Sequence, residues 1–575
     1  MAKRQDNDRF APERFRLRTI TVVGAFVLAT VVLCLRAAEL QIFNNAFLSA
    51  QGEARHIRRA QISAHRGSIV DRNGEPLAVS TPVDSVWAHP RELSVAADRL
   101  PELARVLERD PEWIARRISS NLGREFVYLR RHMRPDQAAR VQALGMPGVR
   151  LLREYRRYYP AGEVTGHLVG FTNIDDQGQE GLELGYDHWL RGQPGVKRVL
   201  QDRYGRVIED VESIRVARPG RDLRTSLDLR IQYLAYRELK AAVARHGARA
   251  GSAVVLDVYT GEVLAMVNQP SYNPNDRSQF TVARYRNRAA TDIFEPGSTF
   301  KPLLLAAALE TRDWTPDTVI DTSPGRLRVG RLQVEDRQNH GRIDLTTMLA
   351  RSSNVGAARV ALEMESQALW SVFDGFGIGH LSNSGFPGES AGLMHHHSLW
   401  RPIGQATMAY GYGLSTTALQ LARAYAVIGA GGVRRPVSLV ALDDVPSGER
   451  VVSAATADAV MTMLEAVVAP TGTGHRAAVA GYRVAGKTGT SRKSGVGGYS
   501  DERHVALFAG LAPARDPRLA VVVMIDEPRD AYYGGEVAAP VFSRIVSDAL
   551  RLLAVPPDAL PGEVPSRILR ADAAP

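Results

Sequence analysis

The sequence predicts an α+β fold, in which an antiparallel sheet flanked by helices follows an elongated mixed α/β platform and a single N-terminal transmembrane helix. Three observations carry this expectation. Residues 19 to 35, TITVVGAFVLATVVLCL, are uncharged and mostly apolar. Strand-like runs stand at both ends of the segment 221–555, and the stretch they enclose has mainly helical periodicity.

The apolar run just reaches the length of a membrane span, and Ala37 and Ala38 extend it, which sets the span at 19–38. Lys3, Arg4, Arg9, Arg14, Arg16 and Arg18 precede it, whereas residues 37–54 hold no Lys or Arg. That bias places the tail 1–18 in the cytoplasm and the remaining chain beyond the membrane. The run is long for a cleaved signal peptide and lacks a good small-residue cleavage site, so an uncleaved anchor is expected. The sole cysteine, Cys34, lies inside the span, and the exported part can form no internal disulfide. The chain has 575 residues, 45% of them hydrophobic, enough for several domains and a sizeable core. Its formal charge of +10 is spread along the whole length without a basic tract, which argues against nucleic acid as a partner.

Residues 39–220 read as a stalk, helical to about residue 54, and a non-catalytic platform of strands and loops. Within it, Asn73-Gly74 marks a hairpin turn between apolar runs. Arginines near Arg157-Tyr158-Tyr159-Pro160-Ala161-Gly162 face the acids of Gly178-Gln179-Glu180-Gly181-Leu182-Glu183 and Asp187, a pattern of structural ion pairs, since neither a nucleophile nor metal-ligand spacing accompanies it. From Thr225 the texture changes. TSLDLRIQYLAYRELKAAVARHGA is helical, GSAVVLDVYTGEVLAMV reads as two strands, and RVAGKTGTS, HVALFAGLAPA and LAVVVMIDEP read as three more. The last stretch, 556–575, is a proline-rich tail.

Lysine occurs only six times among 72 Lys and Arg residues, and two of the six fall in Ser298-Thr299-Phe300-Lys301 and Lys487-Thr488-Gly489-Thr490. A base that must lose its proton is a place where arginine cannot serve. Ser298 precedes the strong helix former LLLAAALE and is expected at or near its N-cap, with the Lys301 amine on the same face three residues on. The helix N-terminus and burial both favour an alkoxide and a neutral amine. Ser352-Ser353-Asn354 supplies a hydroxyl for proton relay and an amide for a substrate carbonyl. Lys487 opens a strand-like segment in which Gly489 permits close backbone approach and an extended substrate can add as a further strand. Each motif is weak alone, and together they indicate a serine nucleophile. The three histidines His395 to His397 are sequence neighbours without a completing shell, so no metal and no cofactor are expected.

S-x-x-K, S-x-N and K-T-G resemble the motif set of penicillin-binding proteins and serine β-lactamases. RGSIVDRNGEPLA, RRYYPAG and GQEGLE resemble the N-terminal motifs of class B penicillin-binding proteins, and GFPGE, YGYGLS and YYGGEVAAPVF are similar to those of the septal cell-division type of Gram-negative bacteria or a close paralogue. The resemblance implies a platform of the class B dimerisation type and a transpeptidase domain over 221–555. It implies Ser298 as the nucleophile on a D-Ala-D-Ala stem peptide of peptidoglycan, Lys301 as base, Ser352 and Lys487 as proton relay, and Asn354 as orienter of the substrate amide. The N–H groups of Ser298 and Thr490 would form the oxyanion hole, Thr488 and Thr490, helped by Arg492, would hold the terminal carboxylate, and Tyr410, Tyr532 and Tyr533 would line the pocket.

The same resemblance implies inhibition by β-lactam antibiotics, location in the bacterial inner membrane with a periplasmic catalytic domain, and partnership with a membrane glycan polymerase of the SEDS type and other division proteins. No E-D-x-x-F-x-x-H glycosyltransferase pattern is present; Glu209-Asp210 and Glu335-Asp336 both lack the downstream phenylalanine. The alternatives are a non-catalytic division scaffold or β-lactam sensor, and a D,D-carboxypeptidase or β-lactamase-like hydrolase; the anchor and the class B motifs argue against the hydrolases.

Overall fold

The computed structural model describes residues 12–43, 57–62, 64–201, 207–278, 280–495 and 498–559. Most of the basic tail 1–18, part of the expected stalk helix and the tail from residue 560 onward lie outside the described residues. Helix α1 (Pro12–Ala38) contains the apolar run, and Arg16–Gln41 is long and apolar enough to cross a membrane. Its apolar side chains, Cys34 included, are exposed.

The chain divides into two compact units that do not follow its linear order. One contains Met1–Ala64, Ser85–Leu152 and Gln193–Arg218; the other contains His65–Asp84, Arg153–Gly192 and Pro219–Pro575. The strands Pro76–Ala88 and Val149–Tyr158 therefore pass from one unit into the other.

In the first unit, helices Leu100–Leu107, Pro111–Ser119 and Pro135–Ala143 bury Leu103, Leu107, Ile114, Ile118 and Val141 around a small core. A separate three-stranded antiparallel sheet joins Ile57–Ile62, Gly195–Gln201 and Val207–Arg215.

The second unit is built on a five-stranded antiparallel sheet of β1 (Ala250–Asp257), β2 (Val263–Gln269), β3 (Ala485–Gly495), β4 (Gly498–Ala512) and β5 (Leu519–Asp526), in the order β2-β1-β5-β4-β3. The N-terminal hairpin thus joins the C-terminal meander through β1 and β5, and β3 is left at an edge. Its helices include α2 (Leu229–Arg245), α3 (Lys301–Glu310), α4 (Leu345–Arg351), α5 (Asn354–Leu362), α6 (Ala418–Gly429), α7 (Ala454–Val468) and α8 (Ala539–Leu552). Both β1 and β5 are buried along their whole length because helices cover both faces. The period-2 alternation of strands sorts them: Val254 and Leu256 pack with residues of α3, α6 and α7, while Ala253 and Val255 pack with residues of α2 and α8. Burying each valine or leucine stabilises by about 1.5–3 kcal/mol. The helix α3 is buried all round except at its last residue, as KPLLLAAALE requires.

The hairpin turn forms at Asn73-Gly74, where Gly74 has φ +91° and Asp71 Oδ1 accepts the N–H groups of Asn73 (2.7 Å) and Glu75 (2.8 Å). Glu183 is fully buried between two arginines. Arg157 Nε donates to Glu183 Oε1 at 2.5 Å, and Arg66 reaches Glu183 Oε2 at 2.6 Å and Asp187 Oδ1 at 2.8 Å. These are the ion pairs that the two N-terminal motifs suggested.

Candidate active site

Ser298 does not cap α3. It sits in a 3-10 turn, Gly297–Phe300, that precedes the helix, and Phe300 holds the N-cap position. In a 3-10 turn residues i and i+3 eclipse, so the three-residue spacing sets the two side chains one above the other. Lys301 Nζ lies 3.1 Å from Ser298 Oγ. Pro302 falls in the first turn of α3, where its missing N–H costs nothing.

Lys301 is fully buried, and that burial, reinforced by the positive charge of Lys487 and opposed by Asp336, holds its amine well below the usual lysine range. Its two shortest contacts are Ser352 O (2.7 Å) and Asn354 Oδ1 (2.8 Å), with Ser352 Oγ at 3.2 Å. A neutral amine has two N–H bonds, which these two acceptors saturate, and its lone pair is then left for the Ser298 hydroxyl.

Ser352 ends α4 in the left-handed region, at φ +62° and ψ +38°. A non-glycine residue pays about 1–2 kcal/mol for that conformation. The gain is geometric, because it presents both the carbonyl and the hydroxyl of Ser352 to Lys301. Ser353 then caps α5 through Gly356 N–H (2.9 Å). Asn354 turns Oδ1 to Lys301 and Nδ2 to Glu335 O (3.3 Å), so its amide is engaged at both ends within the protein.

Lys487, also fully buried, has its amine pulled down to about 7 by desolvation. Its Nζ donates to Thr488 O at 3.1 Å and Thr488 Oγ1 at 3.3 Å. Thr488 Oγ1 donates in turn to Thr473 Oγ1 at 3.1 Å. The close approach that Gly489 permits is that of the Ser298 turn: a Cβ there would stand 2.8 Å from Thr299 Cγ2 and 3.0 Å from Pro296 O. Thr490 borders the same turn, its carbonyl 3.6 Å from where a Cβ of Gly297 would be, and its Oγ1 accepts Gly534 N–H at 3.0 Å.

The expected pocket residues separate into two groups. Tyr410 is half-buried and begins a loop whose Gly411 carbonyl accepts Gly297 N–H at 3.1 Å; burial raises its phenol to about 12. Tyr533 precedes Gly534 beside Thr490; its hydroxyl is 2.9 Å from that of Tyr532, and Arg337 lies over its ring at 3.9 Å. Tyr532 stacks on His504. Arg492, by contrast, directs its guanidinium to Asp501 at the surface, 2.9 Å away, while its N–H donates to Tyr412 OH at 3.2 Å. His396 and His397 pack their rings against Trp370 on an outer loop.

Sequence reasoning missed Asp336, which braces Ser353 and Asn354, and Thr473, the partner of Thr488. Both lie far from the motifs in sequence; Glu335-Asp336 was visible only as a failed glycosyltransferase signature.

The model of the penicillin binding protein transpeptidase domain matches residues 251–547, and that of the penicillin-binding protein dimerisation domain matches 61–225. The peptidoglycan D,D-transpeptidase FtsI of Escherichia coli K12 is 44% identical over 564 residues, covering 97% of this chain and 95% of the relative. The probable peptidoglycan D,D-transpeptidase PbpC of Pseudomonas aeruginosa is 41% identical over 95% of this chain and 97% of its own length. Among solved structures, the transpeptidase domain of Burkholderia pseudomallei penicillin-binding protein 3 is 43% identical, covers 58% of this chain and 98% of its own, and superposes with a TM-score of 0.55. Penicillin-binding protein 3 of Mycobacterium tuberculosis, solved with aztreonam, is 29% identical over 87% of this chain and 98% of its own, with a TM-score of 0.68. With a buried lysine on a serine turn, an S-x-N loop and a K-T-G edge strand in one fold, this chain belongs to the penicillin-binding protein transpeptidase family.

Proposed function

We propose that the chain is a peptidoglycan D,D-transpeptidase of septal cell-wall synthesis, working through an acyl-enzyme on Ser298. The observation that carries this reading is the neutral-amine geometry of Lys301 against Ser298 Oγ. Lys301 takes the hydroxyl proton as the serine oxygen attacks the penultimate carbonyl of a D-Ala-D-Ala stem. The new ester C–O bond forms, the peptide C–N bond breaks, and terminal D-alanine leaves with a proton delivered through Ser352 and Lys487. An amine of a second stem then attacks the ester, forms the cross-link and returns the proton to Ser298.

The N–H groups of Ser298 and Thr490 stabilise the oxyanion. Thr488 and Thr490 hold the terminal carboxylate, and Tyr410, Tyr532 and Tyr533 border the stem. Arg492 takes part after leaving Asp501. Asn354 holds Lys301 before acylation and is released to the substrate amide as the proton moves. A β-lactam enters the same path and stays as a slowly hydrolysed ester. The segment 221–555 works as the transpeptidase domain on a platform from 39 to 220, held in the inner membrane by α1 with the N-terminus cytoplasmic and the catalytic domain periplasmic. Glycan strands come from a membrane polymerase of the SEDS type.

Intact-protein mass spectrometry with a penicillin tests the reading. A stable adduct on the wild type and none on Ser298→Ala is expected. No adduct on folded wild type would support a scaffold, and rapid loss of the adduct would support a hydrolase.

A further inference from the structure

Asp336 lies in the loop after the short strand Leu332–Glu335 and is tied there by its own N–H, which donates to Gly325 O at 3.0 Å. Its carboxylate is occupied on both oxygens. Oδ1 accepts the backbone N–H groups of Asn354 (2.5 Å) and Val355 (3.1 Å), and Oδ2 accepts the Ser353 hydroxyl at 2.5 Å. Three donors from the first turn of α5 therefore converge on one side chain, at the positive end of that helix. Ser352 and Asn354, the residues that grip Lys301, flank Ser353 directly.

From this geometry, resting on the reading of Ser298 and Lys301 as nucleophile and base, we infer that Asp336 is a positioning residue with two effects: it fixes the S-x-N turn, and its charge governs when Lys301 becomes a base. The charged groups acting on Lys301 are Lys487, from β3, and Asp336; Ser298, Ser352 and Asn354, which contact it, are neutral. Lys487 and desolvation push the amine towards neutrality and Asp336 pulls it back. The Asp336 carboxylate is linked to Lys301 through Asn354 and favours the ammonium form, so removing its charge should free the base at lower pH.

The test is the pH profile of the second-order acylation rate with a chromogenic cephalosporin, measured on Asp336→Asn, Asp336→Ala and Ser353→Ala beside the wild type. Asn keeps the shape and the two N–H acceptors while losing the charge. Its alkaline plateau should stay near wild type while the acid limb moves to lower pH, so that below the limb it acylates faster than wild type. Ser353→Ala retains the charge, so its limb should stay in place. Asp336→Ala should move the limb and also lower the plateau about tenfold, because the turn loses its brace. A folded Asp336→Asn variant whose acid limb coincides with wild type, or moves up, overturns the inference. Ser298→Ala and Lys301→Arg run in the same assay separate the two failures: if either acylates at the wild-type rate, the reading of the site fails instead.

Discussion

Lys301 and Ser352 are joined twice, Nζ reaching both the carbonyl oxygen (2.7 Å) and Oγ (3.2 Å) of the same residue. The carbonyl contact survives loss of the side chain. Ser352→Ala should therefore keep Lys301 in place and lose only the relay, slowing acylation by about 10²- to 10⁴-fold while the melting temperature changes little. Stopped-flow acylation kinetics and calorimetry on one preparation check both halves.

Lys301→Arg keeps the positive charge and removes the base, because guanidinium does not deprotonate. Penicillin labelling should fall by at least about 10²- to 10⁴-fold. Normal labelling in a folded variant would remove Lys301 from the mechanism.

Lys487 gives a stability signature with a definite sign. Its folded-state value of about 7 lies below the ordinary 10.5, so between those limits the unfolded chain binds more protons than the folded one. Stability from this group accordingly rises with pH from about 7 to 10.5 and is lowest below 7, where the buried ammonium must be carried. Lys487→Met should flatten the rise of unfolding free energy with pH over that window and be more stable than wild type at neutral pH. Chemical denaturation at several pH values measures the slope.

Gly489 has no room for a side chain against Thr299. Gly489→Ala should push β3 from the Ser298 turn, costing about 1–3 kcal/mol of stability and at least tenfold in acylation. Unchanged kinetics would mean that the turn yields.

Glu183→Ala would leave Arg66 and Arg157 buried without their shared carboxylate, a loss of about 3–5 kcal/mol. Thermal unfolding should show it clearly, and an unchanged transition would mean that water enters the site.

Where regular periodicity or a small set of chemical types governed the outcome, the sequence was readable. The five strands were legible because their apolar runs are bounded by turn residues, and Lys301 and Lys487 stood out because the chain otherwise uses arginine. The ion pairs of Glu183 were legible as acids and arginines in paired motifs. The 3-10 turn at Ser298 was not, since an N-cap serine and a serine two residues earlier leave the same local pattern. Asp336 was not legible either: its role depends on a loop brought to α5 by tertiary packing. The surface pairing of Arg492 with Asp501 depends on the register of β3 with β4, which spacing alone does not set. Nor does linear order reveal that His65–Asp84 and Arg153–Gly192 fold into the same unit as the catalytic sheet.

The position of β3 at the end of its sheet has a cost in solution behaviour. An uncovered strand edge invites any extended chain, including another copy of the same protein, and most folds blunt it with charge or cover it. Here the edge strand is the one that carries the K-T-G motif. The strand carries its charges only after Ser491, and they are paired: Arg492 with Asp501 and Lys493 with Asp526 and Glu527, while Lys487, Thr488 and Gly489 are buried. Removing these charges should make the protein associate more readily as its concentration rises, so the residues that follow the K-T-G stretch contribute to its colloidal stability.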